Sequence, residues 1–177
     1  PYERLQELER TSWENAPLSH AWVTVPHATL LLQRRTPWIV EQRLVLPNLT
    51  SLPGDNVLHV RTAGKYGQTH VFDQERTLDF IGGLPFPFTS GTLSVMRSRD
   101  DEAGTLTWGE WTNGAGMTCV IALRRVTTSA RVLPRGANAL DMVMRNCVVG
   151  DVEAALLPVG PRAVTLPAAP SLVTGAP

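Results

Sequence analysis

From His20 to about Pro158 the chain is a succession of apolar runs, each four to eight residues long and cut by Pro, Gly, Asn or Asp. Ala21 to Val25, Thr29 to Leu32, Trp38 to Leu46, Val57 to Arg61, His70 to Phe72, Leu78 to Ile81, Thr92 to Met96, Thr105 to Trp111, Met117 to Val126, Arg131 to Leu133 and Met142 to Val149 are β-branched, aromatic or alternating in character. Such residues fit a pleated, half-buried surface, so each run predicts a strand. Turn chemistry separates them at Pro26, Pro37, Pro47, 53–56, Gly64 with Gly67, Gly82-Gly83, Asn113-Gly114 and 134–136. Short strands at this spacing predict a mainly β fold, a β-sandwich or barrel, with a jelly roll among the variants. The sharpest local signal is the hairpin from Thr105 to Val126, where Asn113-Gly114 supplies two residues that accept positive φ.

The two ends break the strand pattern. Residues 1–16 carry Leu5, Leu8 and Trp13 among Glu and Arg, which predicts an amphipathic helical arm closed by Pro17. Residues 17–157 then form a single β-rich domain. Residues 158–177 hold one charge, Arg162, and four prolines after Pro158, which predicts an extended tail with Val164, Leu166, Leu172 and Val173 as apolar pegs. The stretch from Arg97 to Gly104, with Asp100, Asp101 and Glu102, is expected as an exposed polar loop, since its acids lack the spacing of an EF-hand.

Composition changes this picture modestly. At 177 residues the chain is long enough to build one core without a metal or disulfide staple. Net charge is zero, so no electrostatic attraction to a nucleic-acid backbone is expected. Cys119 and Cys147 lie in strand-like runs outside any metal-ligand spacing. They are expected as small buried hydrophobes, with a mutual bridge left open should their strands be neighbours. No run reaches the length of a membrane span, and the charged first residues are unlike a signal peptide, so the expectation is a chain made in a cytoplasm.

Candidate chemistry is sparse. No nucleophile elbow, HExxH, Walker loop or GxGxxG is present, and no catalytic, cofactor-binding or metal-ligating residue is assigned. Trp108 and Trp111 stand at odd spacing on one predicted strand, so one faces the core and the other faces outward or toward an interface. Interaction residues are therefore expected among Leu5, Leu8, Trp13, Trp108, Trp111, Val164, Leu166, Leu172 and Val173.

The order Gly82-Gly83, then Leu93 to Arg97, then Trp108 through Asn113-Gly114, then Val120 to Leu123 resembles tail-tube proteins of phages and contractile injection systems over about a quarter of the chain. That resemblance implies a small β-sandwich or barrel whose copies stack into rings. It makes the chain a non-enzymatic structural subunit of a phage, virion or tail-type particle, with copies of itself and other structural subunits as partners and neither nucleic acid nor membrane bound directly. A second reading is a small-ligand-binding or enzymatic β-barrel with a pocket lined by His20, His27, His59, His70 and the tryptophans. A third is a protein-interaction module.

Overall fold

The computed structural model describes residues 2–64 and 71–168. The protein is mainly β: eight strands in one antiparallel sheet, with a few short helices. The strands are β1 (Glu14–Ala16), β2 (Leu30–Arg35), β3 (Val40–Leu46), β4 (Asn56–Ala63), β5 (Arg97–Asp101), β6 (Gly104–Thr112), β7 (Met117–Thr127) and β8 (Ala139–Val149). Their order is β1-β2-β3-β4-β8-β7-β6-β5. Two four-stranded meanders are thus joined where β8 lies antiparallel to β4. The connection from β4 to β5 carries α2 (Gln74–Asp79) and α3 (Ser90–Ser94).

Both faces of the sheet are covered, which explains why the central strands read as near-continuous apolar runs rather than clean alternation. On the first face Leu44, Leu58, Val60, Leu106, Trp108, Ala122, Leu140, Met142 and Met144 form one core. Its cover is the chain around Ala21 and Val23, together with α4 (Val152–Leu156), a 3₁₀ turn (Leu157–Val159) and α5 (Pro161–Val164). Leu31 of β2 and Trp108 of β6 come from near opposite ends of the strand order yet belong to this core. On the second face Cys119, Ile121, Leu123, Val143 and Cys147 pack against Leu78 of α2 and Phe88 of the crossover.

Backbone bonds sew the first cover together. The amide of Thr24 donates to the Ala163 carbonyl at 2.9 Å, and that of Ala168 to the Ala21 carbonyl at 3.0 Å. Arg131 donates to the carbonyls of Trp22 and Val164. The segment expected as a tail therefore starts inside this layer, with Val159, Ala163 and Val164 buried. At the other end α1 (Tyr2–Arg10) seats the fully buried Leu8, and the residues after it turn into β1 rather than prolonging the helix.

Several local expectations are corrected. Leu78 to Ile81 and Thr92 to Met96 are not strands. The first lies across the end of α2, whose start is capped by Asp73 accepting from the Arg76 amide, and the second lies across α3, opened by a Thr89 and Thr92 capping box. Ala21 to Val25 and Arg131 to Leu133 are irregular covering chain. In the run from His70, Val71 and Phe72 are not strand, and His70 lies outside the described residues.

The stretch from Arg97 to Gly104 is exposed over most of its length, as expected, but it is an edge strand and tight turn rather than a loop, and Asp101 is held from within. Arg124, fully buried on β7, donates to both Asp101 oxygens at 3.0 and 2.7 Å and to the carbonyls of Val159 and Gly104 at 2.8 and 3.2 Å. One side chain thereby ties the β5 edge and the 3₁₀ turn to β7, two strands further in.

The two cysteines form a disulfide, not a pair of independent hydrophobes: strand pairing sets Cys119 directly opposite Cys147. The predicted hairpin is present as β6 and β7, with Gly114 and Gly116 at positive φ in its loop. Trp108 and Trp111 do face opposite sides, the first in the first-face core and the second beside the second-face core.

Candidate functional site: a cleft over a charged row

The second face carries its charges in a line. Because side chains alternate between faces, Arg34, Glu41, Arg61, Asp141 and Arg125 all point to this side, and the register sets each opposite the next. Five neighbouring strands thus contribute a row of alternating sign. The Arg34 Nε donates to Glu41 Oε2 at 2.5 Å, and the Arg61 Nε donates to Glu41 Oε1 at 2.6 Å. Arg125 grips Asp141 with two bonds, Nε to Oδ1 at 2.6 Å and Nη2 to Oδ2 at 2.9 Å. Glu41 and Asp141 are both buried, and such carboxylates are tolerated only when paired.

Aromatic rings dress the row. Trp13 contacts two guanidinium groups, with Arg34 at 4.5 Å and Arg43 at 4.3 Å from its ring centre. Phe80 stacks on Arg61 at 3.6 Å, and Arg4 of α1 lies 3.9 Å from the centre of the Trp38 ring. These are cation–π contacts, which favour Arg over Lys because the planar group stacks. Beside the row, Arg43 Nε donates to His59 Nδ1 at 3.2 Å. Burial, and then the charges of Arg43, Arg61 and Arg34, push the His59 imidazole down to about 3, so it is neutral at physiological pH.

Above this floor opens a cleft of about 800 Å³ between α1, the turn before β3, the end of β4 and α2. Tyr2, Leu5, Trp38 and Val71 form apolar parts of its wall, and Arg61 and Asp141 reach its floor. Tyr2 and Val71 are largely exposed, at 73% and 91%. At the floor the charges are paired, Asp141 with Arg125 and Arg61 with Glu41, while Arg4, Glu9, Asp73, Arg76 and Asp79 add further charge to the lining. The cleft therefore offers an occupant apolar and aromatic surface at Tyr2, Leu5, Trp38 and Val71 above a paired polar base, with charged groups interspersed along the wall. A smaller apolar hollow of about 210 Å³, lined by Leu18, Val23, Val25 and Ala168, lies by the first-face cover.

The expected interaction residues are scattered relative to this cleft. Leu5 lines it, Leu8 is buried beneath α1, and Trp13 sits half-buried against Arg34 and Arg43. Trp108 is buried, its Nε1 donating to Glu110 at 3.0 Å, and Trp111 is half-buried. Val164 is buried and Leu166 exposed, while Leu172 and Val173 lie outside the described residues.

The three described histidines are not gathered into a pocket, and His70 lies outside the described residues. His20 and His27 are exposed before β2, and His59 lies on the second face. Of the tryptophans, Trp38 lines the cleft. Among the described residues, no group of three His, Cys, Asp or Glu could hold a metal ion, and no helix is long and apolar enough to cross a membrane.

Sequence reasoning passed over the charged row. Its one visible signal is a set of charges inside otherwise apolar strands, such as Glu41 in Val40–Leu46. Which charge meets which depends on register between strands far apart in the chain. Comparison of the chain with protein-family models, curated proteins and solved structures finds no match.

Proposed function

We propose that this chain is a non-enzymatic structural subunit that works by binding other protein chains, copies of itself included, and that the cleft beside α1 is its main contact surface. The observation that carries this reading is the wall of exposed Tyr2, Leu5, Trp38 and Val71 around the cleft, on a sheet face otherwise covered. Aromatic and aliphatic groups framed by paired charges are what interface centres are made of. The sheet ends contribute less: β1 has three residues, and β5 is rich in charge, so both are protected against edge-to-edge pairing.

The particle setting follows the tail-tube resemblance of the segments from Gly82 to Leu123, and a sheet curled toward a barrel goes with it. Size-exclusion chromatography and negative-stain microscopy at high concentration test the reading. Rings, stacks or larger oligomers are expected. Compact monomers or dimers at every concentration refute it.

A second reading rests on the cleft's volume, which falls within the range of about 300–1,000 Å³ typical of small-ligand pockets. It predicts a ligand that raises the melting temperature and alters Trp38 fluorescence, with both effects lost in Trp38→Ala.

A further inference from the structure

We infer that the bridge between Cys119 and Cys147 is a permanent cross-link made in a thiol-oxidising compartment while the chain folds, and then sealed by the β4-to-β5 crossover. The inference does not rest on the proposed binding role, and it replaces the expectation that the chain folds in a reducing cytoplasm.

Three observations carry it. The two cysteines face each other on β7 and β8, adjacent interior strands of the sheet, so the fold itself brings the sulfurs together. They are 0% and 1% exposed, and the crossover lies over them with Leu78 and Phe88, flanked by Leu84, Leu93 and Met96. The backbone at Cys147 is also pinned: its amide donates to Asn56 Oδ1 at 2.9 Å, its carbonyl accepts from Asn56 Nδ2 at 2.9 Å, and Arg145 Nη1 holds the same Oδ1 at 3.1 Å.

The chemistry then sets the order of events. Two thiols become a disulfide by losing two protons and two electrons to an oxidant, here an oxidised dithiol protein or oxidised glutathione. One cysteine thiolate attacks the oxidant's S–S bond, forming a mixed disulfide and releasing one oxidant thiol. The second cysteine thiolate then displaces the other oxidant sulfur as a thiol and closes the bridge. Each step is an attack on a sulfur and needs access to it. The native arrangement denies that access, so exchange has to precede docking of α2 and of the loop around Phe88. Reducing cytosols keep thiols reduced, which places folding of the bridged chain outside such a compartment.

The test labels thiols with N-ethylmaleimide in denaturant and counts labels by intact mass. The full chain, produced by an exporting host into an oxidising space, is expected to take no label. It is also expected to take none after native incubation with excess dithiothreitol, and two per chain when the reductant acts in denaturant. In a companion experiment the reduced, unfolded chain is refolded with oxidised glutathione present from the start or added after folding. Bridging is expected in the first case, and two free thiols are expected to persist in the second. Two labels on the exported protein, reduction as fast in native buffer as in denaturant, or equal bridging by late oxidant would each overturn the inference.

Discussion

Replacing Glu41 by Gln tests whether the charged row is structural support for the cleft floor. Glu41 is the shared partner of Arg34 and Arg61, and the side chains are 5%, 11% and 16% exposed. At an effective dielectric constant of about 20, each contact at ~4 Å is worth roughly 4 kcal/mol of attraction, set against the cost of taking the charges out of water. Glutamine keeps the volume and one acceptor but leaves two neighbouring, largely covered guanidinium groups without an anion between them. Breaking a buried pair in this way costs about 3–5 kcal/mol, and the retained acceptor puts Glu41→Gln near the lower end. That is a large share of the roughly 5–15 kcal/mol that holds a domain of this kind.

The assay is urea unfolding followed by tryptophan fluorescence, with the slope compared to confirm a two-state transition. The triple replacement Arg34→Met, Glu41→Leu, Arg61→Met removes all three charges together and is expected to leave stability within about 1 kcal/mol of the parent. A loss below about 0.5 kcal/mol in Glu41→Gln, the scatter of ordinary surface changes, would refute the reasoning.

Three further outcomes are expected. His59 is protonated in the unfolded chain below its ordinary value of 6.5 but stays neutral in the fold down to about 3, so the unfolded state takes up the extra proton. Stability should fall as pH drops through this window, by up to about 1.4 kcal/mol per pH unit, and His59→Gln should flatten the slope in urea titrations run from neutral pH to about pH 4; an unchanged slope would count against the assignment. Arg124→Met strands Asp101 and the carbonyls of Val159 and Gly104 and should cost about 3–5 kcal/mol in chemical denaturation, with Arg124→Lys intermediate; a loss under about 1 kcal/mol would show that the anchor is dispensable. Gly109→Ala would set a Cβ 2.6 Å from Thr92 Cγ2 and 3.3 Å from Ile121 Cγ2, so α3 must shift, at about 1–3 kcal/mol and with faster amide exchange over 90–96; unaltered exchange there would contradict the contact.

The sequence carried the parts of the fold that rest on local chemistry. Asn113-Gly114 announced the β6–β7 hairpin because only a few residues accept its turn, and the alternation from Asn56 to Ala63 appears in the burial of β4. What failed was the reading of short apolar runs. Leu78 to Ile81 and Thr92 to Met96 look alike as strand or buried helix over four or five residues, and their caps at Asp73 and Thr89 lie outside the runs. Asp100 and Glu102 are exposed as read, but Asp101 between them is not free, and its partner, Arg124, lies more than twenty residues away on another strand. The same limit hid the charged row and the pairing of Cys119 with Cys147: each needs the β4–β8 or β7–β8 register, which is a property of the assembled sheet. Of the cleft, Leu5 was legible as an apolar position of the helical arm, but α2, which forms the opposite wall, was not.

The most direct measurement is sedimentation velocity of the full chain over a wide concentration range, run beside Leu5→Asp. Leu5 is 40% exposed on the cleft wall, so a charge there should disturb contact with another chain more than folding. The account predicts species heavier than a dimer that grow with concentration in the parent, and their loss in Leu5→Asp with the melting temperature unchanged. A parent that sediments as a monomer throughout, or assemblies indifferent to Leu5→Asp, would contradict it.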